Sequence, residues 1–233
     1  MCRSRPLRLP DGSVPELYFV DLDGTLLSTS SEKLFLKRLL RKGILSGYGF
    51  VRFLAGYLLH PVTTLKEGKG WNRTYLRGVA PAVAKKEAAG CSEDLLEGYV
   101  REWTGMSVKE LSGQGCEPVL LSASLEYIAT GVASGLGVMR VCASSPEISN
   151  AGFTGKLRGT RPWGRNKALL AGDICRKAGV DPGRCAAAGD SWSDRFVLEM
   201  CGCPVAVCPD RKLRRLAERR GWRVEEGKHT RWA

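Results

Sequence analysis

The sequence predicts an α/β protein built in three layers, with a mostly parallel sheet and an inserted helical cap. Three observations predict it. Short apolar runs that end in small or polar residues recur along the 233-residue chain, namely "ELYFVD" (16–21), "PVLLSAS" (118–124), "GVMRVCAS" (137–144), "RCAAAGD" (184–190) and "CPVAVCP" (203–209). Helical patterns separate them, and strands alternating with helices imply a sheet covered on both faces. One interval breaks the rhythm: more than ninety residues of helical character, with no convincing strand, lie between the first and second runs.

Taken in order, Tyr18, Phe19 and Val20 form a strand heading into a core, followed by Asp21, Asp23, Gly24 and Thr25. The long interval reads as a helical lobe over residues 30–112, inserted into a core formed by 1–29 and 113–233. Within it, "SEDLLEGYVREW" starts with Ser92 as an N-cap and an acidic first turn. Leu95, Leu96, Tyr99, Val100 and Trp103 then form one apolar face. "EISNAGFTGKLRG" (147–159) reads as a hairpin or extended excursion, and "WGRNKALL" opens a helix. In parallel sheets ligands bind beyond the carboxyl ends of the strands. Four runs finish there with polar residues: Asp21, Ser122, Ser144 and Asp190.

Composition narrows the function. The chain is 43% hydrophobic and 26% charged, ordinary for a globular protein, but its net charge is +12. Basic residues gather in "MCRSRPLRLP" and "RKLRRLAERRGWR" (211–223), a surface that attracts anions. No zinc-finger or single-strand-binding signature accompanies the charge, so nucleic acid is not expected as a partner. Nine cysteines scattered through apolar stretches suit buried thiols rather than a disulfide framework. The spacing in "CGCPVAVC" (201–208) is not a usual zinc pattern. Arginines and prolines interrupt the N-terminus, which lacks the apolar run of a signal peptide, and a cytoplasmic location is expected.

The chemistry gathers at the strand ends. Two carboxylates as close as Asp21 and Asp23 repel by roughly 4 kcal/mol at 4 Å with an effective dielectric near 20. A carboxylate at a buried strand end can attack phosphorus, and a second one two residues on projects to the same side and can protonate the leaving oxygen. Gly24 permits a tight turn that turns backbone N–H groups toward phosphoryl oxygens. "AAAGDSWSD" (186–194) puts Asp190 at another strand end and Asp194 four residues on. With Asp21 they form an oxygen-rich set suited to Mg²⁺, which would relieve the repulsion. Ser122 offers a hydroxyl and Lys167 an ammonium to the same phosphate. With only two histidines, His60 and His229, a Ser-His-Asp engine is implausible.

This order of nucleophile, hydroxyl, lysine and paired acids resembles the haloacid dehalogenase superfamily. Its four motifs match "DLDGT" (21–25), "LLSAS" (120–124), Lys167 and "GDSWSD" (189–194). A helical cap directly after the first motif, with "FTGKL" before the lysine, looks like the phosphoserine-phosphatase-like branch. The resemblance implies a Rossmann-like core and a Mg²⁺-dependent phosphomonoesterase. It implies Asp21 as the nucleophile that forms an aspartyl-phosphate and Asp23 as general acid and then base. Ser122, Ala123, Lys167 and Gly24 would hold the phosphoryl oxygens. Asp21, the backbone carbonyl of Asp23, and Asp190 would bind the metal, with Asp194 supporting it through a water or through Lys167. Asp23 weighs against a dehalogenase, whose motif lacks this second acid.

The resemblance stops at specificity. Phosphoserine phosphatases carry a glutamate seven residues after the second acid; Ser30 stands there, with Glu32 two further on. No counterpart of their cap arginine is visible in the sequence. A phosphorylated small molecule is the expected substrate. In 44–65, Phe50, Val51, Phe53, Leu54, Tyr57 and Leu58 follow helical spacing after Lys37, Arg38, Arg41 and Lys42. Arg52, three glycines and Pro61 exclude a membrane span. The stretch is a packed cap helix or an interfacial helix on anionic lipid, which would make a lipid phosphate a candidate and the inner membrane face a peripheral location. A phosphotransferase using the same intermediate is the further alternative. The oligomeric state is not readable from the sequence.

Overall fold

A computed structural model describes residues 6–45, 51, 53, 55, 58, 59 and 72–226. The strands are β1 (Leu17–Val20), β2 (Glu117–Leu125), β3 (Arg140–Ser149), β4 (Gly152–Arg158), β5 (Cys185–Gly189), β6 (Cys203–Val207) and β7 (Arg223–Glu225). They form one seven-stranded sheet in the order β4-β3-β2-β1-β5-β6-β7. Every pairing is parallel except the β3/β4 hairpin. The chain therefore has the three-layer α/β architecture. All five apolar runs become strands, and 147–159 lies in the hairpin. β7 is an addition: three half-buried residues, Arg223, Val224 and Glu225, carry no apolar run to reveal it.

Alternation along β1 shows why the layers form. Tyr18 and Val20 pack on one face, with Val108 and Leu111 of helix α3 (Glu102–Gly113) and Ile128, Ala129 and Val132 of α4 (Glu126–Gly135). Leu17 and Phe19 pack on the other. There they meet Ala171 and Ile174 of α5 (Arg165–Ala178), Val197 and Leu198 of α6 (Arg195–Met200), and Leu213 and Leu216 of α7 (Arg211–Arg220). Each fully buried Leu or Phe contributes about 1.5–3 kcal/mol.

The excursion between β1 and β2 begins with α1 (Ser31–Arg41) and includes α2 (Pro81–Gly98). Its two crossings are bonded to each other: the Ser28 amide donates to Tyr99 O at 2.8 Å, and the Arg101 amide to Leu26 O at 2.9 Å. After the return, α3 lies against the sheet, where the Tyr18 hydroxyl meets the Ser107 hydroxyl at 3.2 Å. α2 is set closely on α4. A Cβ on Gly131 would lie 2.4 Å from Ser92 Oγ, and one on Gly135 would lie 2.3 Å from Leu96 Cδ1.

Ser92 is not an N-cap. It sits inside α2, its hydroxyl donating to Ala88 O and Ile128 O, so the expected helix start is corrected. The helix formers upstream, "AVAKKEAA", carry the helix through it, and bonding back to the i−4 carbonyl satisfies the hydroxyl. The apolar face expected across 95–103 is split by the break at 99–101. Most of the 44–65 stretch, Phe50, Arg52, Leu54, Tyr57 and Pro61 included, lies outside the described residues. Among those described, Val51, Leu58 and Leu59 are exposed, and the Phe53 ring stands edge-on to Tyr75 at 5.2 Å. Among the described residues no helix is long and apolar enough to cross a membrane, and the cysteines form no disulfide.

Candidate active site

Parallel register puts the tips of β1, β2 and β5 side by side, Val20 opposite both Leu120 and Ala188. Asp21 follows β1, its amide still bonded to Ala188 O. The chain then turns: the Leu26 and Leu27 amides donate to the carbonyls of Asp21 and Leu22. Gly24 takes φ +89°, which a side chain rarely adopts. A Cβ there would sit 2.2 Å from Asp190 Oδ2, so glycine is needed both for the turn and for the approach of the β5 acid.

Four groups from three segments distant in sequence converge. Lys167, on the first turn of α5, places Nζ 2.5 Å from Asp21 Oδ1 and 2.6 Å from Asp194 Oδ1. Asp21, Asp190 and Asp194 offer carboxylate oxygens that all lie within 4.8 Å of one another. Thr25, fully buried, donates at 3.3 Å to Asp21 Oδ2 and to Asp190 Oδ1. Asp194 uses its second oxygen locally, taking the Ser191 hydroxyl at 2.7 Å and the Ser191 amide at 3.1 Å.

Burial sets the electrostatics. It pushes the Asp21 carboxyl well above its ordinary value, against the pull of Lys167. Asp190 is raised by burial first and by the charges of Asp21 and Asp194 second. Burial opposes the charge on Lys167, but Asp194 and Asp21 outweigh it and hold the ammonium protonated. Three carboxylates facing one ammonium leave excess negative charge in a largely buried site. An all-oxygen donor set with that charge fits a hard divalent cation.

Asp23 stands apart from this cluster. Its Oδ1 accepts the Ser31 amide at 3.0 Å, and its Oδ2 accepts the Ser124 hydroxyl at 2.8 Å and the Ser30 hydroxyl at 3.4 Å. Ser122, buried on β2, accepts the Ser124 amide at 3.1 Å. The Ala123 carbonyl accepts from Ser144 Oγ at 2.7 Å and from Arg73 Nη2 at 3.0 Å.

Sequence reasoning missed several of these residues. Arg73 is a buried arginine from the excursion, with Nε 2.9 Å from Glu32 Oε1; Tyr75 donates to the same oxygen. Nothing local in the sequence marks it. Ser124 and Thr25 stand inside motifs that were legible, but Asp23 and Asp190, to which they donate, are distant in sequence. Asp210 is another: it caps α7 through the Lys212 and Leu213 amides and accepts the Trp192 amide at 2.6 Å, while its own amide donates to Asp190 O.

The structure thus gathers clustered acids and a lysine at the strand tips of a mostly parallel α/β sheet. Comparison with known proteins gives the class. The family described as haloacid dehalogenase-like hydrolase matches residues 18–199, and the chain belongs to that family. Among its relatives, a protein of Streptomyces azureus called "Inhibition of morphological differentiation protein" is 29% identical over 88% of this chain and 76% of its own length. A phosphoserine phosphatase of Mycobacterium tuberculosis is 26% identical over 94% of this chain and 73% of its own. A protein of unknown function from Bordetella pertussis shares the fold with a TM-score of 0.77 at 22% identity, covering 92% of this chain and 99% of that one. A phosphoserine phosphatase solved as a phospho-aspartyl intermediate analogue gives 0.65 at 16% identity, covering 92% and 95%.

Proposed function

We propose that this hydrolase is a Mg²⁺-dependent phosphomonoesterase working through an aspartyl-phosphate on Asp21, with the excursion after β1 as its cap and α3, which lies against the sheet, joining the catalytic core. One observation carries the reading: Lys167, Asp190 and Asp194 converge on the carboxylate that ends β1. The names of relatives support it, since a phosphoserine phosphatase and a histidinol-phosphatase of Neisseria meningitidis are among them.

Asp21 and Asp190, with the Asp23 carbonyl, would hold Mg²⁺, while Asp194 fixes Lys167 and supports the site from behind. The cation, when bound, supplies positive charge that offsets the carboxylates and the phosphoryl oxygens. An oxygen of Asp21 bonds to phosphorus as the ester P–O bond breaks, and Asp23 gives its proton to the departing alkoxide. Water then bonds to phosphorus as the Asp21–phosphorus bond breaks, and Asp23 takes the water's proton. Phosphate leaves and Asp21 is restored. Lys167, the Ser122 hydroxyl and the Ala123 and Gly24 amides hold the phosphoryl oxygens while charge redistributes.

Phosphoserine is not favoured as the substrate. Ser30 stands where a glutamate would grip the amine, and Glu32 is engaged by Arg73 and Tyr75. Exposed Val51, Leu58 and Leu59, with exposed Lys37, Arg41 and Lys42 on and after α1, favour a lipid phosphate as the second reading. Flotation with anionic vesicles at low salt tests that reading. Adding a competing alcohol and analysing products separates hydrolysis from phosphotransfer.

The central test is phosphate release from a panel of phosphomonoesters with and without Mg²⁺. Mg²⁺-dependent release is expected, with Asp21→Asn losing more than roughly 10³-fold while keeping its circular dichroism. Full activity in the variant, or none in the native protein on any ester, would sink the reading.

A further inference from the structure

We propose that Ser124 is a positioning residue that aims Asp23 at the leaving oxygen; this rests on the phosphatase reading and adds a role for the second serine of "LLSAS". Ser124 is the penultimate residue of β2, and both it and Ser31, the first residue of α1, are buried. Ser31 Oγ donates to Ser124 Oγ at 3.0 Å, and Ser124 Oγ to Asp23 Oδ2 at 2.8 Å. The hydroxyls run in one direction, from Ser31 through Ser124 to Asp23. The Ser31 amide holds the other oxygen, Oδ1.

A carboxylate's terminal torsion is broad and roughly two-fold, so an unheld Asp23 would turn freely. Donors on both oxygens, the Ser31 amide on Oδ1 and the hydroxyls of Ser124 and, more distantly, Ser30 on Oδ2, fix its plane. Proton transfer needs the acid within hydrogen-bond reach of the leaving oxygen, and a misplacement of about 1 Å can cost on the order of 10²-fold. The two serines of this strand tip thus divide the work. Ser122 serves the phosphoryl group, whereas Ser124 serves the group that departs.

The distinction has a chemical signature. A nitrophenolate leaves as a stable anion without needing a proton, whereas an aliphatic alkoxide must be protonated as the ester bond breaks. The ratio kcat/KM reports the step in which Asp21 takes the phosphoryl group. In Ser124→Ala, kcat/KM for glycerol 2-phosphate should fall roughly 10- to 100-fold and that for p-nitrophenyl phosphate less than about 3-fold. The inhibition constant of inorganic phosphate should stay within about 2-fold, and Ser124→Thr, which keeps the hydroxyl, should recover most of the loss. Ser122→Ala should lower both substrates alike.

Equal losses on the two esters in Ser124→Ala, or no loss on either, would overturn the assignment. If that variant does not fold, Ser31→Ala carries the same comparison: a selective loss on the alkyl ester supports the chain of hydroxyls, and an even loss or none overturns it. Native protein inactive on both esters with Mg²⁺ would defeat the phosphatase reading itself, and the assignment with it.

Discussion

At the scale of single residues, Gly24 shows how tightly backbone and chemistry are joined. Its positive φ makes the turn after β1, and the missing side chain leaves room for the Asp190 carboxylate. Gly24→Ala should therefore displace Asp190 and strain the turn together. Activity is expected to fall at least about 10²-fold, with a higher Mg²⁺ concentration needed for half-maximal rate, as a titration of rate against Mg²⁺ would measure. The acids, Lys167 and Ser122 were legible in the sequence because each sits at the end of a strand or the start of a helix, in a short local motif. Thr25, Ser124 and Arg73 drew no role because their partners lie 165, 101 and 50 residues away, at Asp190, Asp23 and Ala123. A hydroxyl or guanidinium carries no local mark of a contact that only the folded chain creates.

At the scale of elements, α1 and α2 are held by charges that the apolar pattern did not reveal. Glu87 on α2, nearly buried, takes Lys42 at 2.8 Å and Arg38 at 2.8 Å, and Arg38 also reaches Asp94 at 2.7 Å. Gly90 makes this possible, since a Cβ there would meet Arg38 Nη2 at 2.3 Å. A mid-helix glycine ordinarily costs about 1 kcal/mol against alanine, yet α2 runs on through Gly90. The donors, Lys42 first and Arg38 second, hold the Glu87 carboxyl below its ordinary 4.5. A lowered carboxyl contributes stability that is present above the unfolded value and lost as pH falls through the folded one. Glu87→Gln is expected to cost about 1–3 kcal/mol at pH 7, with the difference from the native protein narrowing as pH falls below 4.5. Denaturant melts at the two pH values would measure it.

At the scale of the whole molecule, one buried acidic centre joins the tips of β1 and β5 to the starts of α5 and α6. A cation bound there stabilises only the folded chain. Mg²⁺ at 100 times its dissociation constant adds about 2.7 kcal/mol, which for a chain of this length raises Tm by roughly 5–10 °C. Thermal melts with Mg²⁺ and with a chelator would read it, and no difference would count against a cation at this site. The layered sheet was legible at this scale because strands buried on both faces are continuous apolar runs. β7 was not, because an edge strand half open to solvent leaves no such run. The bonded crossings at 26–28 and 99–101 carry a last consequence. The chain departs from the sheet and rejoins it through a single doorway, so a change in the length of the excursion beyond that doorway need not shift the register of the strands on either side.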